Sequence, residues 1–231
     1  LENGIFMLDN NKFTGVTYEN YTDGTLKSEW TLLNGIEHGP SATYYRNGQV
    51  DQKITWKDGE KDGPYEKYYD DGQLEVTAQY TFNEKDGNFQ TFYKSGKPWR
   101  NGYYENGKLM GAVEEYFENG NLKTEFHYKN GERHGKNNEY YEDGSKNIIS
   151  NYNEGELHGL REQYYPSGNI ETKTTYNNGI QYTHIYLSED GDVIDSGMFN
   201  NGLDTALDSL FKEGSINKET YDWMSDILKN K

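Results

Sequence analysis

The sequence contains no cysteine and no long apolar run. The absence of cysteine among the 231 residues excludes disulfides and thiol chemistry, and it fits either an oxidising or a reducing compartment. No apolar stretch approaches the roughly 20 residues that a membrane-spanning helix requires. Hydrophobic residues are also scarce, at 32%, and the net charge is −16, a combination that is typical of disordered chains. Composition alone therefore does not explain how this chain would fold.

Glycine recurs at a fixed interval of 24 residues, which is the strongest pattern in the chain. A second glycine column, from Gly24 to Gly168, keeps the same interval just after an aromatic pair. Because glycine tolerates a positive φ, each column marks a turn. A disordered chain does not keep glycines in register over seven copies, so the interval predicts a repeat protein. The first column comprises Gly15, Gly39, Gly63, Gly87, Gly111, Gly135 and Gly159.

Each repeat contains two runs with the character of β-strands. The first run ends in an aromatic pair such as Tyr68-Tyr69, and a short turn ending in Gly72 follows, which suits a three-residue hairpin loop. The second run alternates with period two and places Leu74, Ala78 and Tyr80 on one side. The predicted fold class is an all-β repeat, an elongated antiparallel sheet of stacked 24-residue β-hairpins.

The hairpin register predicts which face each aromatic residue occupies. If Tyr69 lies opposite Gln73, then Tyr68 lies opposite Leu74 and shares its side of the sheet. The first aromatic of each pair is then expected in the core, and the second on the opposite face beside charged residues. A slip of one residue would reverse this assignment. The second column is the candidate partner-binding surface: Tyr21, Tyr45, Tyr69, Tyr93, Phe117, Tyr141 and Tyr165.

The pattern G-x-x-x-G-x-x-x-x-Y-Y-x-x-G-x-L, followed by Tyr-Lys-Asn-Gly-Glu, resembles the bacterial variant of the MORN repeat over about residues 5 to 202. This resemblance implies an extended, MORN-like array of β-hairpins that binds partners. Many bacterial proteins of this type are labelled antitoxin or immunity components, and others are exported to the cell surface. A fold does not determine a function, so both implications remain expectations.

The two ends of the chain differ from the repeats. In residues 203–231, Leu207, Leu210 and Met224 belong to stripes with helical spacing, which predicts two short helices over the last hairpin. This tail also resembles the short helical hairpins at the C-termini of many bacterial proteins, and a separate docking module is the alternative to a cap. The expected domains are a repeat array over residues 1–202, with about eight repeats of which the first is incomplete, and a helical cap over residues 203–231.

The first residues leave the compartment open. Residues 2–11 match the second strand of a repeat whose first strand is missing, and the chain begins with Leu1. We expect that an upstream segment, such as a signal peptide or lipoprotein leader, has been removed. An exported or cell-surface protein and a cytoplasmic protein are both compatible with the sequence.

No constellation of catalytic or metal-binding residues is found. His38, His134 and His158 share one column, but equivalent residues in adjacent hairpins are about 9.6 Å apart, two strand spacings. Zinc needs ligand atoms at roughly 2.0–2.1 Å, so the column does not predict a metal site. Nucleophile elbows, phosphate loops and H-E-x-x-H motifs are absent from the sequence. We expect neither an enzyme nor a cofactor.

The charge predicts the kind of partner. With 39 acidic and 23 basic residues, the chain repels nucleic acid and anionic membranes, whose recognition requires Lys and Arg. Exposed tyrosines flanked by carboxylates suit a basic protein partner instead. The expected function is therefore that of an acidic, non-catalytic protein of the antitoxin or immunity type. The alternative is a secreted or surface-anchored adhesion module.

Overall fold

The computed structural model describes residues 5–198 and 203–229. The chain divides into two compact units, residues 1–109 (unit 1) and residues 110–231 (unit 2). Both units are built from antiparallel β-hairpins, and unit 2 also contains two short helices. The predicted class, an antiparallel sheet of stacked hairpins with a short C-terminal helical hairpin, is confirmed. The division at residue 202 between array and cap remains a prediction.

Unit 1 consists of strands joined by short turns. The expected strand over residues 2–11 is only partly testable, because residues 2–4 lie outside the described residues. Its remaining part contains β1, which pairs with β2 through a turn where Asp9 and Asn10 have positive φ. The strands are β1 (Met7–Leu8), β2 (Asn11–Lys12), β3 (Gly15–Asn20), β4 (Leu26–Leu33), β5 (Ile36–Tyr44), β6 (Val50–Lys57), β7 (Glu60–Tyr68), β8 (Leu74–Thr81), β9 (Glu84–Lys85), β10 (Gly87–Phe92), β11 (Pro98–Glu105) and β12 (Lys108–Leu109).

Unit 2 continues the same hairpin pattern and ends in the helices. Its elements are β13 (Gly111–Tyr116), β14 (Leu122–Lys129), β15 (Glu132–Arg133), β16 (Gly135–Tyr140), β17 (Lys146–Asn153), β18 (Glu156–Leu157), β19 (Gly159–Tyr164), β20 (Ile170–Asn177), β21 (Ile180–Leu187), β22 (Val193–Met198), α1 (Leu203–Lys212) and α2 (Lys218–Lys229).

The hairpin turns follow the predicted geometry. The Tyr69 amide donates to the Gln73 carbonyl at 2.8 Å, and the Gly72 amide donates back to the Tyr69 carbonyl at 2.9 Å. Gly72 has a φ of 85°, a conformation that most other residues avoid. The pairing of Tyr68 with Leu74 is also confirmed.

A β-bulge next to each turn overturns the predicted facing of the aromatic pair. The extra residue of the bulge lies in β8 between Leu74 and Val76, so the alternation of side chains is interrupted in β8, whereas β7 keeps it. Tyr65 pairs with Ala78 on one face, whereas the Tyr68 hydroxyl donates to the Glu66 carboxylate on the other. The expectation that the first aromatic joins the core beside Ala78 is therefore wrong, because a period-two pattern does not reveal the extra residue in the strand.

The two faces of the sheet differ in chemistry. We call the side that carries Tyr65, Ala78 and their repeat equivalents face A, and the side that carries Lys53, Glu66 and their equivalents face B. In unit 1 the core lies on face A, where aromatic rings from neighbouring hairpins contact each other and Ala78 and Phe89 are buried. The ring centroids are 5.8 Å apart in Trp30–Trp56, 5.7 Å in Tyr65–Tyr80 and 5.0 Å in Phe89–Tyr104.

The core of unit 2 lies where α1 and α2 pack on the last strands. Asn217 caps α2 as predicted, because its side-chain oxygen accepts the Thr220 amide at 2.8 Å. Gly214 ends the first helical segment with a φ of 79°. Together the helices and β21 bury a cluster of apolar side chains, Ile185, Leu187, Leu207, Leu210, Ile216 and Met224.

Truncation of the helical core should destabilise unit 2. Met224 has 0% exposure, so Met224→Ala leaves a cavity and should lower the free energy of unfolding by about 2–5 kcal/mol. Urea denaturation measures this difference. Ile180→Ala is the matched control, because the Ile180 side chain is 54% exposed and should tolerate truncation. Equal losses for the two variants would contradict the assigned core.

Candidate partner-binding surface

The predicted tyrosine column forms a hydrogen-bonded ladder that the sequence did not reveal. Each second aromatic lies directly before a hairpin turn and is half-buried. In five of the seven, the hydroxyl donates to a main-chain carbonyl of the next hairpin along the chain. Phe117 lacks a hydroxyl and cannot make this contact. The bonds are Tyr21 to Tyr44 O (2.7 Å), Tyr45 to Tyr68 O (2.7 Å), Tyr69 to Phe92 O (2.8 Å), Tyr141 to Tyr164 O (2.7 Å) and Tyr165 to Leu187 O (2.9 Å).

Neighbouring side chains contact some rings of this column, and most of its hydroxyls are occupied. Arg46 lies over the Tyr21 ring at 4.7 Å, and the Tyr93 ring packs against Trp99 at 6.2 Å between centroids. Burial raises the pKa of Tyr45 and of Tyr69, which keeps both hydroxyls protonated as donors. The hydrogen-bonding capacity of these two hydroxyls therefore serves the hairpin stack.

Charges at the hairpin turns are compensated in unit 1. Asp23 pairs with Arg46 at 2.9 Å, and Asp70 pairs with Lys94 at 2.7 Å, each across neighbouring hairpins. The pKa of Asp70 is lowered by its hydrogen bond to Lys94. The turn edge of unit 1 is thus a mixed-charge surface.

Two turns of unit 2 carry carboxylates without this compensation. Glu142, Asp143, Glu189 and Asp190 are exposed, and none of them belongs to an ion pair in the part of the chain that the structure describes. Hydrogen bonds from Ser145 lower the pKa of Asp143, so this carboxyl is ionised at neutral pH. We call these four residues the acidic edge. It borders the turn ends of Tyr141 and Tyr165.

A shallow cavity of about 410 Å³ opens on face B of unit 1. Val16 and Tyr18 line its rim with side chains that are 43% and 66% exposed, and Ala42 lies in its floor. Carboxylates of Glu29 and Glu66 line the same cavity. We call this cavity the unit 1 groove. Sequence reasoning did not single out Val16 or Tyr18, because the groove joins residues of neighbouring hairpins whose distances the repeat interval does not give.

Polar contacts hold the charged groups of the unit 1 groove in place. Tyr44 donates to Glu29 at 2.7 Å, and the Lys53 ammonium lies 3.4 Å from the Glu66 carboxylate. The hydrogen bond from Tyr68, followed by the Lys53 charge, lowers the pKa of Glu66 below its usual range. Both carboxylates therefore face the groove in fixed positions.

The histidine column does not assemble a metal site in the described residues. His38 lies 3.3 Å from Asp58, and His158 lies 3.3 Å from Glu213. These two histidines therefore contact separate carboxylates rather than a shared site. Over residues 5–198 and 203–229, His, Asp and Glu side chains form no group of three that could hold a metal ion. Neither of the two described helices has the length and apolar character needed to cross a membrane.

The repeated hairpins, their bulges and the glycine turns define a β-hairpin repeat protein. The family model for the MORN repeat variant matches the chain five times, at residues 37–58, 61–81, 85–106, 111–130 and 157–178. The chain therefore belongs to the MORN repeat variant family. MORN repeats are commonly involved in protein and membrane interactions, and the family is generally non-enzymatic. None of the curated proteins matches the chain.

Removal of one ladder hydroxyl should weaken the stack of hairpins. Tyr69→Phe deletes the bond to the Phe92 carbonyl and should cost about 1 kcal/mol of unfolding free energy in urea denaturation. Tyr103→Phe is the control, because the Tyr103 side chain is 40% exposed and donates no hydrogen bond among the described residues. A loss as small as that of the control would show that the ladder does not stabilise the stack.

Stability should fall at alkaline pH. Burial, aided by the bond to Glu29, raises the pKa of Tyr44 to about 12, and burial raises that of Tyr65 to about 12. An unfolded tyrosine titrates near about pH 10. Between these pH values the folded state therefore binds more protons than the unfolded state. The stabilisation from the two tyrosines is fully present below about pH 10 and is lost as the pH rises towards about 12.

Tyrosinate absorbance tests this expectation. The folded chain should titrate at a higher pH than the chain in denaturant, and urea midpoints should decrease above about pH 10. Coincident titration curves for the folded and the denatured chain would contradict the raised pKa values.

Proposed function

We propose that this chain is a non-catalytic interaction protein of the antitoxin or immunity type that binds a basic protein. The observation that carries the proposal is the unbalanced negative charge. If each of the 23 basic residues paired with one acid, 16 of the 39 carboxylates would remain without a partner. The acidic edge exposes four such carboxylates, in the two turns that flank the neutral turn at residues 166–168.

The tyrosine column supplies contact area for this partner. In unit 2, Phe117, Tyr141 and Tyr165 present half-buried rings beside the acidic turns. Tyrosine is favoured at protein interfaces because it offers a large, rigid surface at a low entropic cost. The ladder bonds strengthen this argument, since they hold the rings in place before the partner arrives. The equivalent residues of unit 1, Tyr21, Tyr45, Tyr69 and Tyr93, are proposed to contribute in the same way.

Charge also favours a protein over the other partners that MORN repeats take. An acidic surface repels anionic lipid headgroups and the phosphates of nucleic acids, whereas it attracts Lys and Arg of a basic protein. Carboxylates at the rim of an interface accelerate association, and their attraction for a basic partner weakens at high ionic strength. We therefore expect binding that is fast and sensitive to salt.

Affinity capture tests the proposal. The chain is immobilised, exposed to a lysate of its source organism, and eluted with a salt gradient, and the eluted protein is then purified. We expect a basic protein that binds with an affinity that falls as salt rises, and whose activity is blocked at a stoichiometric ratio. A salt-insensitive neutral partner, or cosedimentation of the chain with anionic vesicles, would overturn the proposal.

Neutralisation of the acidic edge should slow association with the captured partner. The triple variant Glu142→Gln, Glu189→Gln and Asp190→Asn should lower the association rate constant about tenfold at low salt. Stopped-flow or surface plasmon measurements determine this rate.

The matched control removes three charges elsewhere. Glu84, Glu132 and Glu156 are exposed near the other row of turns, so their replacement by Gln gives the same net charge. The control should associate at nearly the original rate. Equal slowing in both triple variants would assign the effect to net charge rather than to the acidic edge.

A further inference from the structure

Face B of the last hairpins of unit 2 is covered by the chain's own helices. Ile185 and Leu187 are buried against α1 and α2, and Leu160 and Ile170 pack at the border of the same cluster. Lys173 lies over the Trp223 ring at 4.6 Å and contributes to this docking surface. Face B of these hairpins is thus a surface on which amphipathic helices pack.

The unit 1 groove repeats this docking surface. Lys53 and Lys173 are 120 residues apart, which is five periods of 24 residues. Pairing confirms the equivalence, because Lys53 lies opposite Glu66 as Lys173 lies opposite Ile185. By the same five periods, Pro40, Val50 and Tyr44 correspond to Leu160, Ile170 and Tyr164. Pro40 lines the open cavity of unit 1, whereas its equivalent Leu160 packs against the helical cluster of unit 2.

Differences between the two surfaces specify the occupant. Where unit 2 has Ile149 and Ile185, unit 1 has the carboxylates of Glu29 and Glu66. Where unit 2 has Glu162, unit 1 has Ala42, whose small side chain leaves room in the floor. The groove therefore combines an apolar floor with two carboxylates, of which Glu66 is paired with Lys53 and Glu29 belongs to no ion pair among the described residues.

We propose that the unit 1 groove binds a basic amphipathic helix of the partner protein. The apolar stripe of the helix packs between Tyr18 and Ala42, and its Lys or Arg residues contact Glu29 and Glu66. Helix-in-groove recognition of this kind depends on anchors at i, i+3, i+4 and i+7. This inference rests on the proposed function, since it takes the helix from the same basic partner.

A second copy of the chain does not suit the groove as well. Over residues 203–229, the chain's own helical segment has six acidic and three basic residues. Its carboxylates would meet Glu29 and Glu66, and like charges in close contact are unfavourable. Charge complementarity therefore selects a basic helix over α1 and α2 of another copy.

A designed peptide probes the groove directly. The probe is a fluorescently labelled peptide of residues 216–229 with Glu219→Lys, Asp222→Lys and Asp226→Lys, which keeps the apolar stripe of α2 and reverses its charge. Fluorescence anisotropy measures its binding to the full chain. We expect the Lys-substituted peptide to bind, and the unmodified peptide and a scrambled peptide of the same composition to bind at least tenfold more weakly.

Two variants of the full chain localise the binding. Tyr18→Lys places a positive charge on the groove rim. It should lower the affinity of the chain for the Lys-substituted peptide at least tenfold. Phe82→Lys is the control, because Phe82 is 61% exposed, comparable to Tyr18 at 66%, but lies in a turn outside the groove. Failure of the Lys-substituted peptide to bind, or equal binding to Tyr18→Lys and the unaltered chain, would overturn the inference. Tighter binding of the unmodified peptide would overturn it in favour of a second copy.

The captured partner separates this inference from the proposed function. If the Tyr18→Lys variant binds the partner as tightly as the unaltered chain does, the inference of a helix-binding groove is wrong and the proposed function stands. If no basic partner is captured, but the peptide binds the unaltered chain and not the Tyr18→Lys variant, the groove is a helix-binding site and the proposed function is wrong.

Discussion

The one-residue bulge beside each hairpin turn is the constraint on which the side-chain arrangement depends. It recurs in every full hairpin of the described chain, for example between Lys67 and Tyr68 and between Gln163 and Tyr164. By interrupting the alternation of the second strand of the hairpin, it places Leu74 and its equivalents on face B with the first aromatics, of which Tyr44 and Tyr68 donate to carboxylates. The second aromatic is then placed to donate its hydroxyl to the next hairpin. Tyr44, a first aromatic, lines the unit 1 groove, and second aromatics such as Tyr45 form the tyrosine ladder.

The same repeat therefore supports two different uses of face B. In unit 2 the face carries Ile149 and Ile185, and the helices bury Ile185 together with Met224. In unit 1 the equivalent positions are Glu29 and Glu66, and the face remains open. Repeat proteins vary side chains on a constant backbone, so neighbouring copies can serve as core in one place and as a docking surface in another.

The acidic composition and the tyrosine-rich core are connected. Tyrosine buries a large ring while its hydroxyl satisfies a carbonyl or a carboxylate, so a chain with few aliphatic residues still packs. Its carboxylates are then free to remain on the surface, as at the acidic edge. A surface of this kind attracts a basic protein and repels phosphate groups, which is the reasoning behind the proposed function.

The sequence by itself determined the period, the hairpins, their glycine turns, the pairing of Tyr68 with Leu74 and the two C-terminal helices. These features depend on local interactions, because positive φ, strand alternation and helix caps are properties of a few neighbouring residues. Only the tertiary structure determined the faces of the aromatic pair, since a bulge changes the side of a residue without changing the composition of the strand. The tyrosine ladder and the unit 1 groove also required it, because they join residues of neighbouring hairpins whose distances the period alone does not give.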